Sequence, residues 1–153
     1  MKLEGRYTLN APRDVVWEAL LDPAVIASTV PGAADLEPVG DHEYRGMLKF
    51  GIGPVQGKFK GTVQIHDRVP PESYRLKMKG QGAVGFVEGE GTIRLTDRGA
   101  DTTLDYEIEV KLGGKLAAIG QRLFGSAAES LSAQALESLN EQVKARARAA
   151  GDR

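Results

Sequence analysis

Few side chains in this sequence could carry acid–base chemistry. There are two histidines, five carboxylates on one strand face, four tyrosines and no cysteine. His42 sits in a polar turn, and His66 falls on the outward parity of a strand beside Asp67. Two histidines without cysteine do not suggest a transition-metal site, and thiol chemistry is excluded. Glu88, Glu90, Asp105, Glu107 and Glu109 share an outward face, where pairing with Lys and Arg of neighbouring strands is expected. They do not form a buried acid–base couple. The polar side chains with inward parity are Tyr7, Tyr44, Tyr74 and Tyr106. A buried tyrosine normally belongs to the core with its hydroxyl satisfied, although one could orient a ligand carbonyl. No nucleophile, base and orienting group can be assembled from this set, so a non-enzymatic role is expected.

Two glycine-rich stretches invite a phosphate-binding reading and fail it. Gly80-Gln81-Gly82-Ala83-Val84-Gly85 matches GxGxxG, but a dinucleotide fingerprint must open a helix. Here Phe86 to Leu95 continue as a strand. The stretch Gly51 to Gly57 lacks the lysine and following helix of a phosphate loop, and reads as a hairpin loop near a cavity mouth.

The elements that must position any site follow from periodicity. Leu3, Gly5, Tyr7 and Leu9 alternate with polar residues, a strand with one wet face. Asn10-Ala11-Pro12 ends it, with Asn10 placed to cap a short amphipathic helix carrying Trp17. Asp22-Pro23 opens a second short helix, which Pro31-Gly32 ends. Inward parity then recurs in Tyr44–Phe50, Val55–Ile65, Tyr74–Gly80, Gly85–Leu95 and Leu104–Leu112, separated by short turns. Such spacing predicts an antiparallel meander. From Gly113–Gly114 onward one long helix is expected, its stripe running from Leu116 through Leu123, Leu131 and Leu139 to Val143. Lys144, Arg146 and Arg148 read as a frayed, solvated end. The order is a strand, two short helices, a run of six strands and a long helix. That is α+β, a curved antiparallel sheet gripping a helix.

Seven glycines fall on the inferred inner face: Gly46, Gly57, Gly61, Gly80, Gly85, Gly89 and Gly91. Each mid-strand glycine costs about 0.5–1 kcal/mol relative to alanine. The sum is a sizeable part of a typical stability of about 5–15 kcal/mol. One reading is curvature, since a sheet wrapping a helix needs kinks and bulges. The other is room for a guest between sheet and helix. Both stand at this point. Gly120 and the helix alanines are also compatible with close helix-to-sheet packing.

Composition sets outer bounds. At 153 residues the chain is long enough for one domain with a core, and its formal net charge of -1 offers no global field for nucleic acid. The N-terminus lacks the apolar core of a signal peptide, and no apolar run approaches the roughly 20 residues that span a bilayer. A soluble, cytoplasmic protein is expected.

The order of elements and several motifs resemble the START-like, helix-grip superfamily, also called SRPBCC. More narrowly, they resemble the CoxG family of carbon monoxide dehydrogenase subunits. The residues carrying the resemblance are Ala11-Pro12 with Val15–Trp17, Asp22-Pro23 and Val30-Pro31-Gly32. With them go Ile52-Gly53-Pro54-Val55, the series Gly80 to Gly91, and Gly114-Lys115-Leu116-Ala117 with Gly120, Arg122 and Leu123. The resemblance implies one START-like domain over residues 1–148, a short polar tail over 149–153, and an apolar ligand cavity between sheet and long helix. For the CoxG family it further implies a non-enzymatic accessory to a molybdenum hydroxylase of the CO dehydrogenase type. That role includes recruitment of the enzyme to the inner membrane face and handling of a quinone or lipid. Some members carry a further C-terminal extension, whereas this chain ends ten residues after Val143, so membrane contact is expected to be peripheral at most. No intrinsic cofactor is implied beyond a bound quinone or lipid. Two alternatives remain, a START-like cyclase or hydrolase acting on an apolar substrate and a structural adaptor without ligand.

Inward parity places Leu48, Phe50, Phe59, Met78, Val87 and Tyr106 on the strand wall of the expected cavity, with Leu116, Ile119 and Leu123 on the helix. Gly57, Gly61, Gly85, Gly89, Gly91 and Gly120 shape it by lacking bulk. Such a pocket should measure roughly 300–1,000 Å³. The loop Gly51 to Gly57 and the helix start Gly113–Gly114 should meet at its mouth.

Overall fold

In a computed structural model, the alternating runs form a seven-stranded antiparallel sheet that curves around a long helix. The structure describes residues 1–29, 33–52 and 55–151, with the side chains of 33–35, 50–52 and 55–56 left aside. The elements in chain order are β1 (Lys2–Leu9), α1 (Arg13–Leu20), α2 (Pro23–Thr29), β2 (Ala33–Gly40), β3 (Glu43–Ile52) and β4 (Val55–Val69). They continue as β5 (Ser73–Gly82), β6 (Gly85–Arg98), β7 (Asp101–Gly113), α3 (Lys115–Ala118) and α4 (Gln121–Gly151). The strand order is β1-β7-β6-β5-β4-β3-β2, so consecutive strands pair from β2 to β7 and β1 closes on β7. This is the meander that the short turns predict. β2 has no readable alternation, and its pairing with β3 slips twice, between Ala34 and Glu37 and between Pro38 and Gly40.

Among the described residues the inner face shows two packed clusters. The larger one joins Leu9, Val16, Trp17, Tyr74, Leu95 and Leu104 to Leu139 and Val143 of α4. Trp17 stands edge-on to Tyr74, with ring centroids 5.8 Å apart. The smaller cluster gathers Met1, Leu3, Val87, Ile108 and Leu112 around Val110 and Phe124. Each large side chain buried in this way contributes about 1.5–3 kcal/mol.

Three helix expectations need correction. Asn10 does not cap α1: Pro12 holds the N-cap position without a side-chain bond. Asn10 instead ties β1 to α4, its N–H donating to Asn140 Oδ1 at 2.8 Å and its Oδ1 accepting from Asn140 Nδ2 at 3.0 Å. The C-terminal helix is two helices, broken at Gly120, whose φ of +88° no helical residue adopts. The end beyond Val143 is not frayed, because Arg146 pairs with Asp22 and Ala147 packs on the larger cluster. The 149–151 turn of the expected tail is exposed helix.

Candidate functional site

Strand register arranges the inner-face glycines in a way parity could not reveal. Gly46 lies opposite Gly61, and Gly61 opposite Gly80, so three neighbouring strands share one glycine row. Larger side chains lean over the gaps. A Cβ on Gly61 would lie 3.1 Å from Leu48 Cδ1, one on Gly80 3.1 Å from Val87 Cγ1, and one on Gly89 3.2 Å from Met78 Cε. The Leu48 and Met78 atoms are flexible tips that can give way, so at Gly61 and Gly89 the missing bulk is adaptable space, whereas Val87 is β-branched and stiff. Gly57 differs: a Cβ there would meet Val84 Cγ2 at 2.9 Å and Phe59 Cε2 at 3.3 Å. The room at Gly57 is already occupied, in part by the fully buried Phe59 ring.

Three glycines expected to shape the cavity have other roles. A Cβ on Gly91 would collide with Glu107 O and lie 2.7 Å from Ile108 Cα, so that glycine serves close approach of the β6 and β7 backbones. Gly85 has φ +131° and faces the Gly113 carbonyl. Gly120 has no atom within 4 Å of a built Cβ, so it is a joint between α3 and α4 and does not serve close packing.

The expected lining residues fare differently. Leu48, Met78, Val87, Tyr106 and Ile119 are all half-buried, although they project from the inner face or from the helix joint above it. Phe59 and Leu116 are fully buried. The Phe50 side chain lies outside the described residues. Leu123 is 42% exposed. The break at Gly120 resets the helical phase, which turns Phe124 inward and Leu123 out. Tyr106 also covers Gly5, its partner across β1 and β7, and its ring reaches within 2.6 Å of where a Cβ on that residue would stand.

Gly57 and Gly114 do approach one turn. Val84 abuts the Gly57 position, and the Val84 carbonyl accepts the Leu116 N–H at 3.1 Å. A Cβ on Gly114 would lie 2.8 Å from Gly85 Cα. Gly53 and Pro54, the tip of the expected loop, lie outside the described residues. Beside α3 a cleft of about 500 Å³ has a mixed lining, with Met1, Phe86, Val110 and Leu112 next to the charged Glu88 and Lys111. Sequence reading missed it, because it joins the chain start, a strand end and a helix start that are distant in sequence. A second cleft, of about 610 Å³, lies on the outer sheet face and is lined by Arg6, Arg75, Arg94, Glu90, Glu107 and other charged groups. Its lining does not suit an apolar ligand.

The polar groups of the inner face have structural tasks. The Tyr44 hydroxyl donates to the Leu21 carbonyl at 3.3 Å, and burial raises its pKa. Tyr74 is buried against Trp17, and desolvation pushes its phenol well above the ordinary value, so it stays neutral. The buried Thr102 hydroxyl donates to the Ala11 carbonyl at 2.8 Å. His42 and His66 each stand beside an aspartate, 3.4 Å from Asp41 and 3.2 Å from Asp67. Outward carboxylates pair as expected in part: Asp105 with Arg6 at 2.7 Å and Glu107 with Lys2 at 3.1 Å. Among the described residues no group of three or more potential ligands could hold a metal, and no helix is long and apolar enough to cross a membrane.

A curved antiparallel sheet, two short helices after its first strand and a long C-terminal helix across its inner face define the START-like helix-grip class. Solved structures agree. A START superfamily protein from Mycobacterium smegmatis superposes with a TM-score of 0.64 at 16% identity, over 93% of this chain and 98% of that one. An aromatase/cyclase from Streptomyces sp. R1128 superposes with a TM-score of 0.69 at 18% identity, over 99% and 98%. Within that class the chain belongs to the CoxG family of carbon monoxide dehydrogenase subunits, which it matches over residues 5–144. A conserved protein from Geobacillus kaustophilus is 33% identical, with a TM-score of 0.89 over 94% of this chain and 95% of that one. Comparison with curated protein sequences gave no match.

Proposed function

We propose that this protein is a non-enzymatic accessory that holds an uncharged apolar ligand, a quinone or similar lipid, between sheet and helix. In that role it assists or recruits a molybdenum hydroxylase of the CO dehydrogenase type. The observation that carries the ligand reading is the half-buried middle of the inner face. Among the described residues the packed core forms two clusters, and the fully buried Phe59 and Leu116 are in neither. Leu48 and Met78 belong to neither and keep part of their surface open, beside the row Gly46–Gly61–Gly80. A protein that needed only stability would fill that row, because close-packed interiors leave few voids larger than a water. Family membership supports the accessory role and the choice of partner enzyme.

The chemistry of the wall supports the ligand class. None of the inward-facing side chains of the cavity wall is charged, so affinity rests on apolar burial, at about 25 cal/mol per Å² before association costs. The enzyme alternative needs a polar pair aimed into the cavity. The tyrosine hydroxyl of Tyr44 is committed to Leu21, and Tyr74 packs on Trp17.

Native mass spectrometry of the purified protein tests this reading, with a co-purifying neutral lipid or quinone as the expected result. Gly89→Leu should abolish binding of a short-chain quinone while the fold survives, since the new side chain first meets the flexible Met78 tip, with Ile108 Cγ2 at 3.4 Å. Glu88→Gln, on the outer face, should leave binding intact. Full binding by the leucine variant would place the ligand elsewhere.

A further inference from the structure

The ring of Tyr74 has a structural task, edge-on to Trp17, but its hydroxyl has none. Tyr74 is 5% exposed, yet among the described residues its oxygen takes part in no hydrogen bond. The Tyr44 phenol acts on it through charge, and no hydrogen bond joins the two. Buried hydroxyls normally have partners, because an unpaired one gives up its hydration without return. Among the described residues no fully enclosed polar side-chain atom lacks a partner. The Tyr74 oxygen therefore keeps some accessible surface, although the residue sits inside the larger cluster. Desolvation is the first cause of its raised pKa, so that surface faces an enclosed space and not bulk water.

Register places that hydroxyl at the closed end of the inner face. Gly80, Met78, Leu76 and Tyr74 follow one another on the inner face of β5, the central strand of the seven. Gly80 belongs to the glycine row, Met78 and Leu76 are half-buried, and Tyr74 is buried. The strand thus runs from an open wall to a floor. There Ile93 stands opposite Tyr74 on β6, and Trp17 of α1 covers it. The Tyr44 hydroxyl, reaching in from β3, is spent on the Leu21 carbonyl. Tyr7 and Tyr106 are only half-buried, so burial imposes no partner on their hydroxyls. The Tyr74 O–H is the uncommitted donor of the floor, and its raised pKa keeps the proton in place.

We propose that the Tyr74 hydroxyl selects the head of the ligand, donating its hydrogen to a carbonyl oxygen of a guest inserted head first to the floor. The proposal rests on the ligand reading above and narrows it, from any apolar lipid to one that bears a carbonyl, as a quinone does. An apolar wall holds hydrocarbon of every kind, since burial has no direction. One donor at the floor supplies the direction. A quinone satisfies that donor. A hydrocarbon of the same shape displaces the water that could satisfy it and leaves the hydroxyl unpaired.

Tyr74→Phe keeps the ring on Trp17 and removes only the oxygen. The intact protein is titrated by calorimetry with a short-chain naphthoquinone and with the naphthalene hydrocarbon of the same shape. The quinone-to-hydrocarbon affinity ratio should fall about tenfold from wild type to Tyr74→Phe. Tyr44→Phe, which breaks the bond to Leu21, should lower stability and leave the ratio unchanged. Infrared difference spectra should show the carbonyl stretch of the bound quinone lower in wild type than in Tyr74→Phe, a shift that a merely structural role does not produce. An unchanged ratio or an unchanged stretch in Tyr74→Phe overturns the proposal and leaves the ligand reading standing. Should that variant fail to fold, the wild-type spectrum decides alone: a stretch equal to that in hydrocarbon solvent overturns the proposal and assigns the hydroxyl to a resident water. If wild type binds neither compound, the ligand reading itself falls, and the proposal with it.

Discussion

Asp22 joins two elements with a single carboxylate. Its Oδ1 accepts the Ala24 N–H at 2.9 Å and caps α2, while its other oxygen meets Arg146 of α4. The cap contact, ahead of the arginine, holds its pKa below the ordinary carboxylate value. Asp22→Asn keeps the capping oxygen and loses the charge, whereas Asp22→Ala loses both. We expect the alanine variant to lose about 1 kcal/mol through the cap and the asparagine variant much less, since the ion pair is about one-third exposed. Urea unfolding checks the order. The sign of the pH dependence follows from the depressed value: the contribution is full above the unfolded pKa near 4 and fades as pH falls through the folded pKa. The wild-type advantage over Asp22→Asn should therefore shrink in acid. The inner-face glycines give a second contrast. Gly89→Ala meets the flexible Met78 tip at 3.2 Å, Ile108 Cγ2 at 3.4 Å and the Glu109 carbonyl at an ordinary 3.9 Å, so near-neutral stability is expected. Gly91→Ala drives a Cβ into the Glu107 carbonyl, and should cost about 1–3 kcal/mol or more as β6 and β7 part.

At the scale of elements, the joint between α3 and α4 governs which residues reach the inner face. A Gly120 φ of +88° suits glycine, and nothing near it would obstruct a side chain. Gly120→Ala should therefore cost about 1–3 kcal/mol through backbone strain alone, and Gly120→Asn less, because asparagine tolerates positive φ better. Thermal unfolding of the two variants decides it, and equal stability of wild type and Gly120→Ala would show that the joint is not held in this conformation. The sequence stripe reads as one helix because Leu116, Ile119 and Leu123 keep helical spacing across the break. Only the backbone dihedral shows that the phase is reset and Leu123 is turned to solvent. The far end of α4 is equally illegible in the sequence. Beyond Val143, alanines alternate with charges without amphipathic contrast, and the order of that turn depends on Asp22, 124 residues earlier in the chain.

For the molecule as a whole, ligand binding should be indifferent to salt. A neutral quinone held by apolar burial should stabilise the fold by about 2.7 kcal/mol at one hundred times its dissociation constant, with the gain retained at high salt. Thermal shift measurements at low and high salt check this. Loss of the shift on raising salt would assign the ligand to a charged surface.

The strand alternation, the short turns and the early helices determine the antiparallel meander and its inner face, because period-two burial is a local property of the chain. The motifs at Asp22-Pro23, Gly80 to Gly91 and Gly114–Ala117 point to the family that the match over residues 5–144 shows. Tertiary structure alone decides which glycines leave space and which bring backbones together. Gly89 and Gly91 have the same parity and the same residue type, yet one faces flexible side-chain tips and the other a carbonyl oxygen. It also decides that Gly46, Gly61 and Gly80 form one row and that like charges face each other on the outer sheet. Those relations depend on register between strands, which is set by the closure of the whole sheet around its helix and is not contained in any single strand's pattern.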